Sequence, residues 1–141
     1  MDGVIMSNEP GVYEGYSCIT NDIKVSVEPS HLQDNSEPSA GVYAFMYTIT
    51  IENLSKQRVK LLERHWVITS NGEHFAEVVG PGVVGEEPEI STGECYQYSS
   101  SAVIDAPIGA MSGTYTFRGG DGKYFEVQIP QFDLVCPVVY Q

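Results

Sequence analysis

Alternation of apolar and polar side chains is the feature that most limits how this chain can fold. Segment 42–53 carries large apolar side chains at every second position, namely Tyr43, Phe45, Tyr47, Ile49 and Ile51. A period of two residues places these side chains on one face of a β-strand. No window of a dozen residues keeps the spacing of an amphipathic helix without Gly, Pro or a β-branched run intervening. The sequence therefore predicts an all-β protein.

Turn signals divide the chain into further strands. Asn71-Gly72 lies between two β-rich segments and predicts a tight hairpin, because both residues tolerate positive φ. The glycine-rich segment 119–122 predicts a second hairpin between strands that carry aromatic residues. Residues 15–29 predict a first strand that ends at Pro29.

Two segments lack strand character. Residues 31–41 are polar and rich in turn-forming residues, which predicts a mobile loop, and residues 106–113 predict a connection. The remaining segments give about seven short strands, the number typical of an antiparallel β-sandwich of immunoglobulin or fibronectin type III-like form. Trp66 is expected in its core. Residues 1–16 predict a flexible N-terminal tail, and 17–141 a single domain.

The chain is strongly acidic. Its formal net charge is −12, and no Lys or Arg occurs between Arg64 and Arg118. This charge opposes binding to nucleic acid or to an anionic membrane. The sequence lacks a secretory signal and any apolar run long enough to span a bilayer. Its cysteines, Cys18, Cys95 and Cys136, are too far apart for a metal or redox motif. We expect a soluble cytoplasmic protein with reduced thiols.

Three glycines in the segment VVGPGVVGEEP have the spacing of a phosphate-binding loop. Gly80, Gly82 and Gly85 match G-x-G-x-x-G, which holds pyrophosphate when a helix begins within the loop. No helical pattern follows, and Glu86 and Glu87 would repel phosphate. A conformationally demanding turn between strands is therefore favoured over a nucleotide site.

Other chemistry is weakly represented. Glu86, Glu87 and Glu89 supply oxygen donors without an ordered ligand spacing, so divalent-cation binding stays open and unassigned. The three histidines, His31, His65 and His74, are never paired in a metal motif. Ser99 to Ser101 lack the glycines of a nucleophile elbow. We expect neither a cofactor nor an enzymatic activity.

A basic row precedes the glycine loop. At a two-residue spacing, Lys56, Arg58, Lys60 and Arg64 would share one face of a strand, as a solvated face or as a stripe that binds an anion or a partner. Trp66 has the same parity, so a regular strand would expose it, and a bulge at Leu61-Leu62 resolves the conflict. Arg64 is the best candidate for binding a carboxylate or phosphate.

Several separate segments resemble the ApaG family, and the likeness covers about residues 17–141. The matching motifs are Arg64-His65-Trp66, the loop from Gly80 to Pro88, the segment 107–113, and Ile129-Pro130 with Phe132. Two positions depart from the family pattern, where Ser-Gly and Thr are usual: Ser100-Ser101 and Ala106.

This resemblance implies an immunoglobulin-like or fibronectin-like sandwich. It also implies an association with cobalt and magnesium tolerance, and a genetic neighbourhood with a diadenosine tetraphosphate hydrolase. Similar domains in eukaryotic F-box proteins, and in a protein that interacts with DNA polymerase delta, imply a role in protein interaction.

Two functional hypotheses follow, and a third, a hydrolase acting on pyrophosphate-containing nucleotides, is disfavoured because no set of base, nucleophile and metal ligands can be assembled. The leading one is a non-enzymatic module that binds a protein partner, with homo-oligomerisation also possible. Its recognition surface would comprise Arg64, His65, Gly80, Gly82, Gly85 and Glu86. The alternative is a small-ligand protein that binds a pyrophosphate-containing nucleotide or a divalent cation at the same loop, which requires a cation such as Arg64 to fold beside it.

Overall fold

The computed structural model of the chain describes residues 15–137. These residues form nine strands and two single turns of 3-10 helix. The strands are β1 (Tyr16–Thr20), β2 (Ile23–His31), β3 (Tyr43–Asn53), β4 (Val59–Ser70), β5 (Glu73–Pro81), β6 (Glu89–Ile90), β7 (Cys95–Ile104), β8 (Ile108–Gly119) and β9 (Tyr124–Val135). The 3-10 turns are Gln33–Asn35 and Pro38–Ala40.

The strands form two antiparallel sheets that enclose one core. The first sheet has the order β1-β2-β3-β7 and the second β5-β4-β8-β9, with β6 pairing to the start of β4. Inward-facing residues of both sheets make up the buried cluster, including Trp66, which contacts the rings of Tyr47 and Phe132. The predicted all-β antiparallel sandwich is confirmed. In the described part of the chain, no helix is long and apolar enough to cross a membrane.

The start of the sandwich differs from the sequence prediction. The expected single first strand is a hairpin of β1 and β2, because Asn21 and Asp22 turn the chain with φ of 51° and 62°. Tyr16 already belongs to β1, and residues 1–14 of the predicted tail lie outside the described residues. The prediction that a strand ends at Pro29 is wrong, since β2 continues to His31. Pro29 is tolerated because β1 pairs only with residues 23–27, which leaves one edge of β2 free at the proline.

Residues 108–113 were expected to be a connection, and they form the first half of β8 instead. Glycines in the sequence suggest a loop, but the glycines of this segment allow the backbone of β8 to lie close to that of β4. A Cβ at Gly113 would overlap the carbonyl oxygen of His65, and one at Gly109 would overlap that of Thr69. Segment 31–41, expected to be a mobile loop, contains both 3-10 turns.

Both predicted hairpins are present. Asn71 and Gly72 have φ of 53° and 80°, as a type I′ turn requires, and join β4 to β5. The turn between β8 and β9 places Gly122 at φ 83°, and the Gly122 N–H donates to the Gly119 carbonyl at 2.9 Å. These turns fix the pairing of the four strands in the second sheet.

The two lateral sides of the sandwich are unlike. On one side the β1–β2 hairpin and β9 are joined by three side-chain hydrogen bonds: Cys18 Sγ to the Gln128 carbonyl, Asn21 Nδ2 to the Glu126 carbonyl, and the Gln128 N–H to Thr20 Oγ1. On the other side, β5 and β7 share no hydrogen bond among residues 15–137. The sandwich is therefore closed at β1 and β9 and open at β5 and β7.

Candidate recognition site at the glycine loop

A β-bulge in β4 decides which way the basic residues face. The pairing of β4 with β8 shifts register between Leu61 and Glu63, which inserts one extra residue. Leu61 is buried before the bulge and Trp66 after it, although the two differ in parity. Arg64 shares the inward parity of Trp66, so the expectation that Arg64 lies on one face with Lys56, Arg58 and Lys60 is wrong. The bulge expected at Leu61-Leu62 is the cause.

The inward-facing side chain of Arg64 is hydrogen-bonded to the backbone of the glycine loop. Its Nη1 donates to the carbonyl of Pro81 at 2.8 Å and to that of Gly82 at 3.0 Å. A Cβ at Gly80 would lie 3.1–3.2 Å from the guanidinium group, so a glycine there lets β5 pass close over the arginine. The structure thus brings Arg64, Gly80 and Gly82 together. The arginine uses part of its donor capacity on the loop itself.

The loop is a tight turn rather than an open cradle. Val83 and Glu86 exchange two backbone hydrogen bonds of 2.8 Å, and Val84 and Gly85 between them have φ of 42° and 83°. These values are those of a type I′ turn. Gly82 is buried with φ of 59°, and a Cβ there would overlap the Glu86 carbonyl oxygen. Only glycine fits at this position.

The N–H groups that a phosphate would need are already used. Gly82 donates its N–H to the Leu62 carbonyl, and Val83 and Glu86 donate to each other, all at 2.8 Å. A phosphate-binding loop instead directs several free N–H groups at the ligand from the start of a helix. Here the chain continues into the short strand β6. The glycine spacing is that of a phosphate loop, whereas the hydrogen bonding is that of a hairpin turn.

The outer side of β4 carries a histidine cluster. His65 Nε2 lies 2.5 Å from Glu77 Oε2, and His74 Nε2 lies 3.8 Å from Glu77 Oε1. Sequence spacing placed these histidines apart, and the β4–β5 hairpin brings both to one carboxylate. Within the described range of 15–137, no group of three or more His, Cys, Asp or Glu side chains has an arrangement that could hold a metal ion. The cluster is a surface group in which His65 is hydrogen-bonded to Glu77 and His74 lies nearby.

Two tyrosines, one from each sheet, are buried in the core close enough to Arg64 to be affected by its charge. The hydroxyl oxygens of Tyr98 and Tyr115 are 2.5 Å apart in the core. Burial raises the pKa of both hydroxyls, and the positive charge of Arg64 lowers them by a smaller amount. Sequence analysis missed this pair, since one tyrosine lies on β7 and the other on β8. The signal available was the inward parity of Tyr98 in its strand.

The acidic rim of the loop is partly paired. The Tyr96 hydroxyl donates to Glu86 Oε1 at 2.7 Å; burial, followed by this carboxylate, raises the pKa of Tyr96 to about 12. Lys60 lies 3.8 Å from Glu87, and Arg58 lies 3.5 Å from Glu89, in exposed ion pairs of small energetic weight. Glu86 therefore links the glycine loop to β7, in addition to lying at the rim as expected.

Nucleophile candidates lack the surroundings that would activate them. Ser99 Oγ lies 2.8 Å from Thr48 Oγ1 on the neighbouring strand, a pairing of two neutral hydroxyls. All three cysteines are free thiols. Burial raises the pKa of the Cys18 and Cys95 thiols, which disfavours the reactive thiolate.

We predict a large difference between two glycine substitutions in the loop. Gly82→Ala combines a left-handed backbone with overlap of a carbonyl oxygen and should lower the free energy of unfolding by at least about 3 kcal/mol. Gly85→Ala has the same strained φ in open space and should cost about 1 kcal/mol. Urea unfolding measures both. Equal losses would contradict the close packing assigned to Gly82.

We also predict a specific alkaline sensitivity. Because the folded pKa values of Tyr47, Tyr98 and Tyr115 lie above the unfolded value, their contribution to stability is complete below pH ~10 and is lost as the pH rises above it. Tyr98→Phe should flatten this loss, whereas Tyr124→Phe, at an exposed ring, should not. Unfolding free energies measured across this pH range test it. Ionisation of all tyrosines in the folded protein near pH ~10 would contradict it.

Comparison with known proteins assigns the family. A family model described as the ApaG domain matches residues 33–119. Protein ApaG of Mesorhizobium japonicum is 44% identical over 122 residues, which cover 86% of this chain and 94% of that protein. Protein ApaG of Thiobacillus denitrificans is 45% identical over 117 residues, which cover 83% and 92%.

A solved structure agrees with this assignment. The crystal structure of the putative ApaA protein from Bordetella pertussis superimposes with a TM-score of 0.80 at 41% sequence identity, covering 84% of this chain and 96% of that one. The segment matched by the family model includes β4, the glycine loop and β8, which together build the site described above. The chain therefore belongs to the ApaG family.

Proposed function

We propose that this chain is a non-enzymatic, cytoplasmic interaction module whose recognition surface is centred on the glycine loop. The observation that carries the proposal is the type I′ turn from Val83 to Glu86 and the residue at its tip. Val84 is β-branched, has φ of 42° and is 52% exposed. Such a backbone is strained for valine and persists only where its surroundings enforce it.

The turn is fixed before any partner arrives. Arg64 holds the carbonyls of Pro81 and Gly82, and Tyr96 holds the carboxylate of Glu86. A preformed surface loses less conformational entropy on binding than a flexible loop does. In this proposal Gly80, Gly82 and Gly85 set the backbone conformation of the loop. The side chains of Val84 and Glu86 contact the partner. His65 extends the surface along β4.

Arg64 acts in this proposal as a support rather than as the contact itself. The association of the family with cobalt and magnesium tolerance would then be an indirect effect, exerted through the bound partner. A catalytic role has no comparable support among the described residues, because Ser99 pairs with a neutral hydroxyl and burial disfavours the thiolates of Cys18 and Cys95.

Affinity capture tests the proposal. The tagged chain is used as bait in cells that lack their own copy, beside Val84→Lys and the matched control Val103→Lys, which alters a valine of similar exposure on β7. Val84→Lys should lose the bound partner, because it places a charge at the tip of the turn, and Val103→Lys should keep it. An unchanged set of partners in Val84→Lys would contradict the assigned surface.

A second candidate function is the binding of a pyrophosphate-containing nucleotide or a divalent cation at the Gly80–Gly85 loop. The observation in its favour is the Arg64 guanidinium directly beside Gly80. Against it stand the three N–H groups used within the protein and the carboxylates at the rim.

Calorimetric titration with diadenosine tetraphosphate, Mg²⁺ and Co²⁺ separates the two functions. We expect no binding heat at millimolar ligand, because the loop has few donors left for phosphate. Saturable binding of the nucleotide that disappears in Arg64→Met and persists in Arg118→Met, or saturable binding of either cation that disappears in Glu86→Gln, would overturn this expectation and favour the small-ligand function.

A further inference from the structure

The open lateral side of the sandwich presents an edge strand with little protection, whose one irregularity is a bulge at Phe75, opposite Ile68 and Thr69. β5 pairs with β4 on one side only, and of its nine residues just Ala76 and Gly80 are even partly buried. Natural proteins usually protect such an edge with lysines, prolines or a covering segment, because its free N–H and C=O groups attract other strands. β5 contains no lysine, and its proline is the last residue, Pro81.

β5 also carries apolar side chains that face solvent. Phe75, Val78 and Val79 are 41%, 38% and 61% exposed. Val78 pairs with Trp66 and shares its inward parity, whereas Val79 pairs with His65 on the outer face. Val78 thus lies on the inward face of β5 and still reaches solvent, because no strand covers this edge among the described residues. A strand added to this edge would bury apolar surface as well as pair its backbone.

The charge at this edge selects the partner. Glu73 and Glu77 lie on β5, and the whole interval between Arg64 and Arg118 contains no Lys or Arg. A second copy of this chain paired through β5 would place like carboxylates together, in a protein whose net charge is −12. A basic segment would instead meet opposite charge at Glu77, which pairs with Val67 on the outer face of the strand.

We propose that β5 binds an extended basic segment of the partner protein, which adds to the second sheet as a new edge strand. The segment alternates apolar residues, which lie on the inner face beside Val78, with Lys or Arg on the outer face beside Glu77. This strand addition is a known mode of peptide recognition, in which the backbone supplies affinity and alternate side chains supply specificity. The proposal rests on the proposed interaction function and names the chemistry of the partner.

Synthetic peptides of the nine-residue length of β5 test the inference on the full chain. One alternates Lys with Val; a second alternates Glu with Val; a third alternates Lys with Pro, which keeps the charge but removes half of the N–H donors. Amide hydrogen exchange and chemical shifts of the protein locate the binding site. The Lys–Val peptide should slow exchange along β5, and the other two should not.

Charge-reversal variants provide the matched control. Glu77→Lys on β5 should weaken the Lys–Val peptide by about fivefold, and Glu126→Lys on β9 of the same sheet should leave it unchanged. Equal weakening by both variants, or equal binding of the Lys–Pro peptide, would reduce the effect to general electrostatics and overturn the proposal. A free protein that already dimerises through β5 would overturn it as well.

The outcomes for the two proposals remain separate. Binding of the Lys–Val peptide with shifts confined to the glycine loop would refute strand addition while leaving the interaction function intact. If no peptide binds, and Val84→Lys also keeps every captured partner, then both proposals fail. If no peptide binds but Val84→Lys loses its partner, only strand addition is refuted.

Discussion

One extra residue in β4 determines the geometry of the candidate site. Leu61 and Trp66 are an odd number of residues apart, so a regular strand would place them on opposite faces. The bulge between Leu61 and Glu63 allows both to be buried in the same core. The bulge keeps both in the core and, as a consequence, turns Arg64 toward the interior and His65 toward solvent. The glycine loop depends on this, because the inward guanidinium holds two of its carbonyls.

The same constraint gives the glycines a different role from the one their spacing suggests. In a phosphate loop, glycines let backbone N–H groups approach an anion. Here Gly80 lets the backbone pass over Arg64, and Gly82 avoids the Glu86 carbonyl. The N–H groups of Gly82, Val83 and Glu86 are used within the protein, and the tip residue Val84 is exposed. Together with the open edge at β5, this turn makes up the surface that we propose for binding a partner protein.

Much of the fold follows from local sequence signals. Alternation located β3, and Asn71-Gly72 located the β4–β5 hairpin, because both depend on residues adjacent in the chain. The β1–β2 turn was missed because Asn21-Asp22 lacks a glycine, although both residues take positive φ. The first half of β8 was missed because its glycines suggested a loop. Gly109 and Gly113 are glycines because the backbone of Thr69 and His65, which are distant in sequence, leaves no room for a side chain.

The site was less accessible to sequence reasoning than the fold. Arg64, Gly80 and Gly82 were identified as candidates, and the structure brings them into contact, but the direction of Arg64 depends on the bulge. The Tyr98–Tyr115 hydrogen bond and the meeting of His65 with Glu77 join separate strands. No local pattern encodes such contacts, because they arise from the register of strand pairing.

Amide hydrogen exchange at Gly82, Val83 and Glu86, with and without inorganic pyrophosphate, tests the central claim most directly. If the loop is a closed turn with its donors in use, these three amides exchange slowly in the free protein. Pyrophosphate then changes neither their rates nor their chemical shifts. Fast exchange in the free protein, followed by protection on addition of pyrophosphate, would contradict the account and identify the loop as an anion site.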